Sequence, residues 1–144
     1  MTKYVQNRQD ITLVLASQMI SYGIKQATAN NVQVSISVIN MSGKLKAFVQ
    51  MDDAAPVSVQ VAIDKATSAV LLQDDSGVFE SFVNDGQPAM MTTPGVLPLR
   101  GGVPIRINNS IIGAVGVSGS TSEGDLALSR SIAIYANKLI EDNQ

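Results

Sequence analysis

The 144-residue chain contains no cysteine, no histidine and no tryptophan. Without cysteine there are no disulfides, no thiolate nucleophile and no c-type haem attachment; without histidine there is no Ser-His-Asp triad and no zinc site of the Cys/His type. The usual proton shuttle near neutral pH is missing too, so acid–base chemistry falls to a carboxylate, a lysine such as Lys65, or a tyrosine. Charge is also scarce: charged residues make up 15 % of the chain against 45 % hydrophobic, and ten Lys+Arg face twelve Asp+Glu for a net charge of −2. With no basic run longer than the Lys44/Lys46 pair, nucleic acid is not the expected partner. No apolar run approaches the ~20 residues of a membrane-spanning helix, and Met1–Asp10 is polar where a signal peptide needs an apolar stretch, so a cytoplasmic protein without a membrane partner is expected.

What is present is enough apolar surface for a core, in a length typical of one domain, and residues 1–144 are read as a single unit. A sparse polar shell on so apolar a chain predicts subunit contacts. Thr12 is the expected N-cap of a first helix, with Ile11 and Ala16 as a staple pair and Leu15, Ala16, Met19, Ile20, Gly23 and Ala27 on its apolar face. Val34, Ile36 and Val38 then alternate with Gln33, Ser35 and Ser37, the pattern of a strand with one buried face. A turn at Asn40–Gly43 and a return over Leu45–Met51 complete a hairpin.

Pro56 suits the first turn of a second helix reaching about Leu72, with Val59, Ala62, Ile63, Ala66 and Val70 on one stripe. Lys65 falls nearly opposite Ile63, on the polar side with Ser58 and Ser68. A short helix near Val78–Asn84 precedes the stretch from Gly86 to Gly102, whose three prolines and four glycines mark a long, possible-site loop rather than a simple connector. Val103, Ile105 and Ile107, the Asn108-Asn109 turn and Ile111–Ser118 form a second hairpin. Its thin return strand, with Gly113, Ala114 and Gly116, predicts close packing of a helix or ligand. Ser122 and Asp125 resemble a capping box opening the last helix. Two hairpins among helices define an α+β class with a central antiparallel sheet flanked by helices.

Several groups are candidates for function. Arg100-Gly101-Gly102 offers a fork of donors beside backbone amides, a possible anion site or a tight strand entry. Asp64-Lys65 places a charged pair on a helix, either solvated, buried at a subunit contact, or available as an amine catalyst. Gly116–Ser120 runs from strand into helix and presents amides or a cap, without the spacing of a Walker or dinucleotide loop. Asp52-Asp53 reads as a turn rather than a carboxylate pair, Met90-Met91 as gap fillers or pocket lining, and no metal ligand set is expected.

Asp64-Lys65-Ala66, Pro94-Gly95, Gly101-Gly102-Val103-Pro104-Ile105 and Ile112-Gly113-Ala114-Val115-Gly116-Val117-Ser118-Gly119 together resemble the GlcG/HbpS-like family, also called the haem-degrading domain family. The likeness runs from Ile11 to the segment after Ser122, departing from the family pattern at Asn40, Gln50 and Asp53. It implies a profilin-like sheet, a homo-oligomer built from dimers, and a small-molecule ligand. Some relatives bind haem or take part in its degradation, and one version forms the C-terminal domain of PduO-type corrinoid adenosyltransferases. Lys65, Gly101, Gly102, Gly116, Ser118, Gly119 and Asp125 match motif positions. Lys65, Arg100, Gly101 and Gly102 are expected to border one pocket, where two positive groups converge with free backbone amides on a carboxylate or other anionic ligand, and Ser118 is a further ligand-binding candidate. The resemblance names no cofactor for this chain: haem is the ligand it raises, and the absence of histidine disfavours it, leaving Tyr4, Tyr22, Tyr135, a methionine, another oxygen donor or water for the iron. The alternative is an enzyme acting on a small carbonyl or acidic metabolite, with Lys65 or Asp125 as acid–base group and Arg100 holding an acidic group.

Overall fold

The computed structural model describes residues 2–144, so of the polar leading segment only Met1 lies outside the described residues. The chain runs α1 (Leu13–Ala29), β1 (Ser35–Asn40), β2 (Leu45–Gln50), α2 (Val57–Leu72), α3 (Gly77–Asn84), a 3-10 turn (Pro88–Thr92), β3 (Gly102–Ile107), β4 (Ser110–Ser118) and α4 (Ser122–Asp142). The strands form one antiparallel sheet in the order β2-β1-β4-β3, the expected α+β architecture. The second hairpin turns at Asn108 and Asn109, both at positive φ, as a two-residue connection requires. No helix among the described residues is long and apolar enough to cross a membrane.

The first helix starts as its sequence predicts, with the Thr12 hydroxyl accepting a hydrogen bond from the Leu15 amide at 3.1 Å. Its buried face of Ala16, Met19, Gly23 and Ala27 packs with Leu128, Ile132, Ala133 and Ala136 of α4 over Val34, Ile36, Val38, Val103, Ile105, Val115 and Val117 of the sheet region. Gly23 makes this approach possible, because a Cβ there would stand 2.6 Å from Ile36 Cδ1 and 2.8 Å from Ile132 Cδ1.

Three expectations are corrected. Strand β1 is buried on both faces: Ser35 and Ser37 are as inaccessible as Ile36 and Val38, because α2 covers the side on which the serines stand. Helix α2 buries Ser58, Ala62, Lys65, Ala66, Ser68, Ala69 and Val70, while Val59 and Ile63 are only partly buried. Its small and polar side, with Lys65, therefore faces inward. The cause lies in the opposing strands, where a Cβ at Gly102 would overlap the Lys65 carbonyl oxygen and one at Gly116 would overlap that of Ala62. Without side chains there, the helix backbone rests almost on the sheet, and serines fit the gap where Leu or Ile would not. Finally, α4 is capped by Thr121, whose hydroxyl accepts from the Gly124 amide at 3.0 Å, and not by Ser122. Asp125 is drawn inward instead.

Candidate functional site

The serine and glycine interface under α2 is satisfied through backbone carbonyls and a pair of hydroxyls. Ser37 donates to the Ala62 carbonyl at 2.7 Å, and the Ser35 and Ser58 hydroxyls are 2.8 Å apart. Each hydroxyl is taken out of water at little penalty because it is hydrogen-bonded. The side chain of Lys65 continues this layer to the end of the sheet where β3 begins and β4 ends. There its ammonium donates to the Val117 carbonyl at 2.9 Å and to Asp125 Oδ2 at 3.1 Å. Both side chains are 5 % exposed, so this ion pair is enclosed.

Asp125 reaches it from the first turn of α4. Its other oxygen accepts from the Ser120 amide at 2.9 Å, so one carboxylate ties α2, the exit of β4 and the start of α4 together. Gly101 makes room for the cation: its φ is +122°, and a Cβ would stand 3.0 Å from Lys65 Nζ, Lys65 Cδ and the Val117 carbonyl oxygen. A side chain here would meet both strain and steric conflict. Two serines hold the glycine pair from outside. Ser129 donates to the Gly101 carbonyl at 2.6 Å, while Ser76 accepts from the Gly102 amide at 2.9 Å and donates to the Leu99 carbonyl at 2.6 Å.

Next to this buried centre, Arg100 lies in a surface groove between α3 and α4. The groove has a volume of about 320 Å3 and is lined by Asp75, Gly77, Glu80, Arg100, Leu126 and Arg130, among others. Glu80 grips Arg100 firmly: its Oε2 accepts from Nε at 2.6 Å and also pairs with Nη2, while Oε1 accepts from the Arg100 amide at 3.3 Å. Hydrogen bonding to Glu80 and its negative charge hold the guanidinium pKa above its already high value. Glu123, on the exposed first turn of α4, is 3.8 Å from Nη1, beyond hydrogen-bond reach.

The residues named from sequence thus fall into two sets. Lys65, Asp125, Gly101 and Gly102 meet in the interior, and Arg100 turns outward into the groove. Ser118 is buried opposite Ser35 in the β1–β4 pairing. Gly116 is used for close packing of α2, and the Ser120 amide is consumed by Asp125. Asp52 and Asp53 occupy an exposed turn, Met90 is partly buried and Met91 exposed on the 3-10 turn, and Asp64 accepts from Gln60 at 2.8 Å on the outer side of α2. No cluster among the described residues could hold a metal ion. Sequence reasoning missed Glu80, Ser76, Ser129 and Arg130. Ser129, one helical turn after Asp125, carried a spacing signal; Glu80 and Ser76 are separated from their partners by loops and carried none.

The four-stranded antiparallel sheet and its flanking helices define an α+β protein, and in this one the glycine-paired strand entry encloses a lysine–aspartate pair. Residues 11–133 match the family described as "Haem degrading protein HbpS-like", and the chain belongs to that family. It is 41 % identical to the protein GlcG of Escherichia coli strain K12 over 104 residues, 72 % of this chain and 78 % of GlcG. Among solved structures it resembles the Klebsiella pneumoniae protein ORFY, with a TM-score of 0.88 and 34 % identity over 94 % of this chain and 96 % of that one. A PduOC:Heme complex shares the fold at a TM-score of 0.81 and 24 % identity, covering 88 % of this chain and 94 % of the other.

Proposed function

We propose that the chain is a small-molecule-binding protein that takes a small organic acid at the groove bordered by Arg100. One observation carries this reading: the Arg100 guanidinium is oriented by Glu80 at the rim of a groove, next to the strand entry that packs against the buried Lys65–Asp125 pair. A preoriented guanidinium binds a carboxylate with less ordering cost than a free one. In this reading Lys65, Gly101, Gly102 and Ser118 shape and support the site from behind, and Arg100 touches the ligand. Homo-oligomers built from dimers belong to the same proposal, supported by the exposed apolar side chains of Val57, Leu71, Phe82 and Met91. Light scattering at micromolar concentration tests that part, with a monomer mass overturning it.

The family description and the PduOC:Heme neighbour bring haem to this chain as a candidate ligand. The usual axial ligands are missing, and the tyrosines are poorly placed to replace them. Histidine and cysteine are absent, Tyr22 stacks on Tyr135 with ring centroids 4.2 Å apart, and the Tyr22 hydroxyl is held by Ser131 at 2.7 Å. Tyr4 is fully exposed. We therefore infer no tight, specific haem site; any tetrapyrrole would be held through its propionates.

The second reading, an enzyme acting on a small carbonyl or acidic metabolite, draws on the 3.1 Å contact between Lys65 and Asp125. Enclosure of both groups favours a supporting role over proton transfer to a substrate, because a catalytic group must touch the reacting atom. A thermal-shift screen of organic acids, small carbonyl compounds and haemin tests the proposal, since a ligand of the native state raises the melting temperature by mass action. Stabilisation by an acid is the expected result. Haemin saturating at one per subunit by absorbance, abolished by Tyr22→Phe or Tyr135→Phe, would overturn the choice of ligand, and turnover of a carbonyl compound lost in Asp125→Asn would favour the enzyme.

A further inference from the structure

Arg100 is held on one side only. Glu80 occupies Nε and Nη2, whereas Nη1 has no acceptor at hydrogen-bond distance among the described residues, and the side chain remains 37 % exposed. Glu123, whose own side chain is 80 % exposed, approaches Nη1 only to 3.8 Å. Glu80, by contrast, is 13 % exposed and makes three contacts with the same arginine. One acid is a fixed anchor, and the other is a loosely held counter-ion over the unused donors.

Farther along α4, Arg130 faces the same groove and donates one long hydrogen bond, at 3.4 Å, to Asp75. Glu123 and Arg130 are seven residues apart, two turns, so they share one side of α4 at an axial separation of roughly 10 Å. Leu126 lies between them and lines the groove. The groove thus has an available donor at each end and an apolar side chain in the middle.

Building on the small-acid reading, we propose that Glu123 is an internal stand-in for the ligand's carboxylate. A short organic carboxylate displaces Glu123 from Arg100 Nη1, lies along Leu126, and gains a second contact with Arg130 when it carries a second acidic group. Glu123 then sets specificity and affinity without touching the bound ligand: it competes for the guanidinium and raises the ligand concentration needed to fill the site. Ligands whose acidic group cannot displace an exposed glutamate are excluded. Neutral isosteres fall in this class, because they bring no charge to exchange for the one they remove.

The test is a titration of the full-length protein with acetate, succinate and acetamide, followed through the arginine Nε–H resonances by NMR. Arg100→Lys and Arg130→Lys assign the signals. The expected result is a saturable shift of the Arg100 resonance with acetate and succinate and none with acetamide. Succinate also shifts Arg130 and binds more tightly than acetate. Glu123→Gln, an exposed substitution that leaves Glu80 in place, tightens both carboxylates by about two- to fivefold, the range of an exposed ion pair. Equal affinities in wild type and Glu123→Gln would overturn the stand-in role, as would an Arg100 signal that ignores carboxylates while an acid still raises the melting temperature of Arg100→Lys. In that last case the small-acid reading survives with its site elsewhere. Failure of every acid to stabilise the protein or shift any resonance removes both.

Discussion

The two faces of the sheet are built by different rules. Toward α1 and α4 the strands present Ile36, Val38, Val103, Ile105, Val115 and Val117, and the layers meet through branched aliphatic side chains. Toward α2 they present Ser35, Ser37, Gly102, Gly116 and Ser118, with a small apolar patch of Ile39, Ala66, Ala69, Val70 and Ala114 at one end and a buried ion pair at the other. The first face derives its stability from apolar area removed from water. The second relies on close backbone approach and on satisfied polar groups. The difference teaches where each face is vulnerable: an aliphatic layer tolerates loss of a methyl group gradually, whereas a polar layer suffers most where removing one partner leaves a buried group unpaired.

The ion pair gives the largest expected effect. Lys65→Met leaves the Asp125 carboxylate buried with the Ser120 amide as its remaining partner, and loss of one member of such a pair costs about 3–5 kcal/mol. The double variant Lys65→Met/Asp125→Leu removes both charges and recovers most of that loss. Urea denaturation of the single and double variants measures the coupling. If Lys65→Met alone is nearly neutral, the pair is not the enclosed contact described, and the contrast between the faces collapses at that point.

Close approach gives the next effect. In Gly102→Ala the new methyl group meets the Lys65 backbone carbonyl, which cannot swing aside as a side-chain tip can, so α2 must lift from the sheet. Overpacking of this kind costs about 1–3 kcal/mol. The same methyl placed at Gly43, where nothing lies within 4 Å, meets only the unfavourable φ of +78°, a strain of about 1 kcal/mol. Comparing the two melting temperatures separates contact from backbone strain. A smaller loss at Gly102 than at Gly43 would contradict the tight seating of α2.

Much of this contrast was legible in the sequence on one face and hidden on the other. Alternation at Val34, Ile36 and Val38 announces a strand, and the spacing of Ala16, Met19, Gly23 and Ala27 announces the helix that covers it, because there the buried residues are also the apolar ones. The same rule assigns Lys65, Ser58 and Ser68 to solvent, and it fails because each is paired: Lys65 with Asp125 across 60 residues, Ser58 with Ser35 across 23, and Ser68 with the Leu97 amide across 29. Periodicity reads single elements, and partnerships this distant in the chain leave no local trace. The glycines were the remaining clue, since Gly116 marks where something must approach the strand. The family resemblance brought Lys65, Gly101, Gly102 and Asp125 together as motif positions, without indicating that the ammonium is enclosed or that Arg100 is fixed by Glu80.

The finest comparison is between neighbours on β1. Ile36 and Ser37 point to opposite faces, and both are fully buried. Ile36→Val removes one methyl group from the aliphatic layer, a loss of about 1 kcal/mol. Ser37→Ala removes a donor to the Ala62 carbonyl. That carbonyl belongs to the interior of α2 and keeps its helical partner, so the loss is again about 1 kcal/mol rather than the larger penalty of an orphaned buried group. Equal costs from unequal chemistry make the pair useful. Each substitution acts on a layer that the sheet separates from the other, so independent layers predict that the double variant loses about the sum of the two, although the residues are adjacent in the chain. A clear departure from that sum in urea denaturation would mean that the strand backbone shifts when either layer is altered, making the two faces one mechanical unit rather than two independently packed layers.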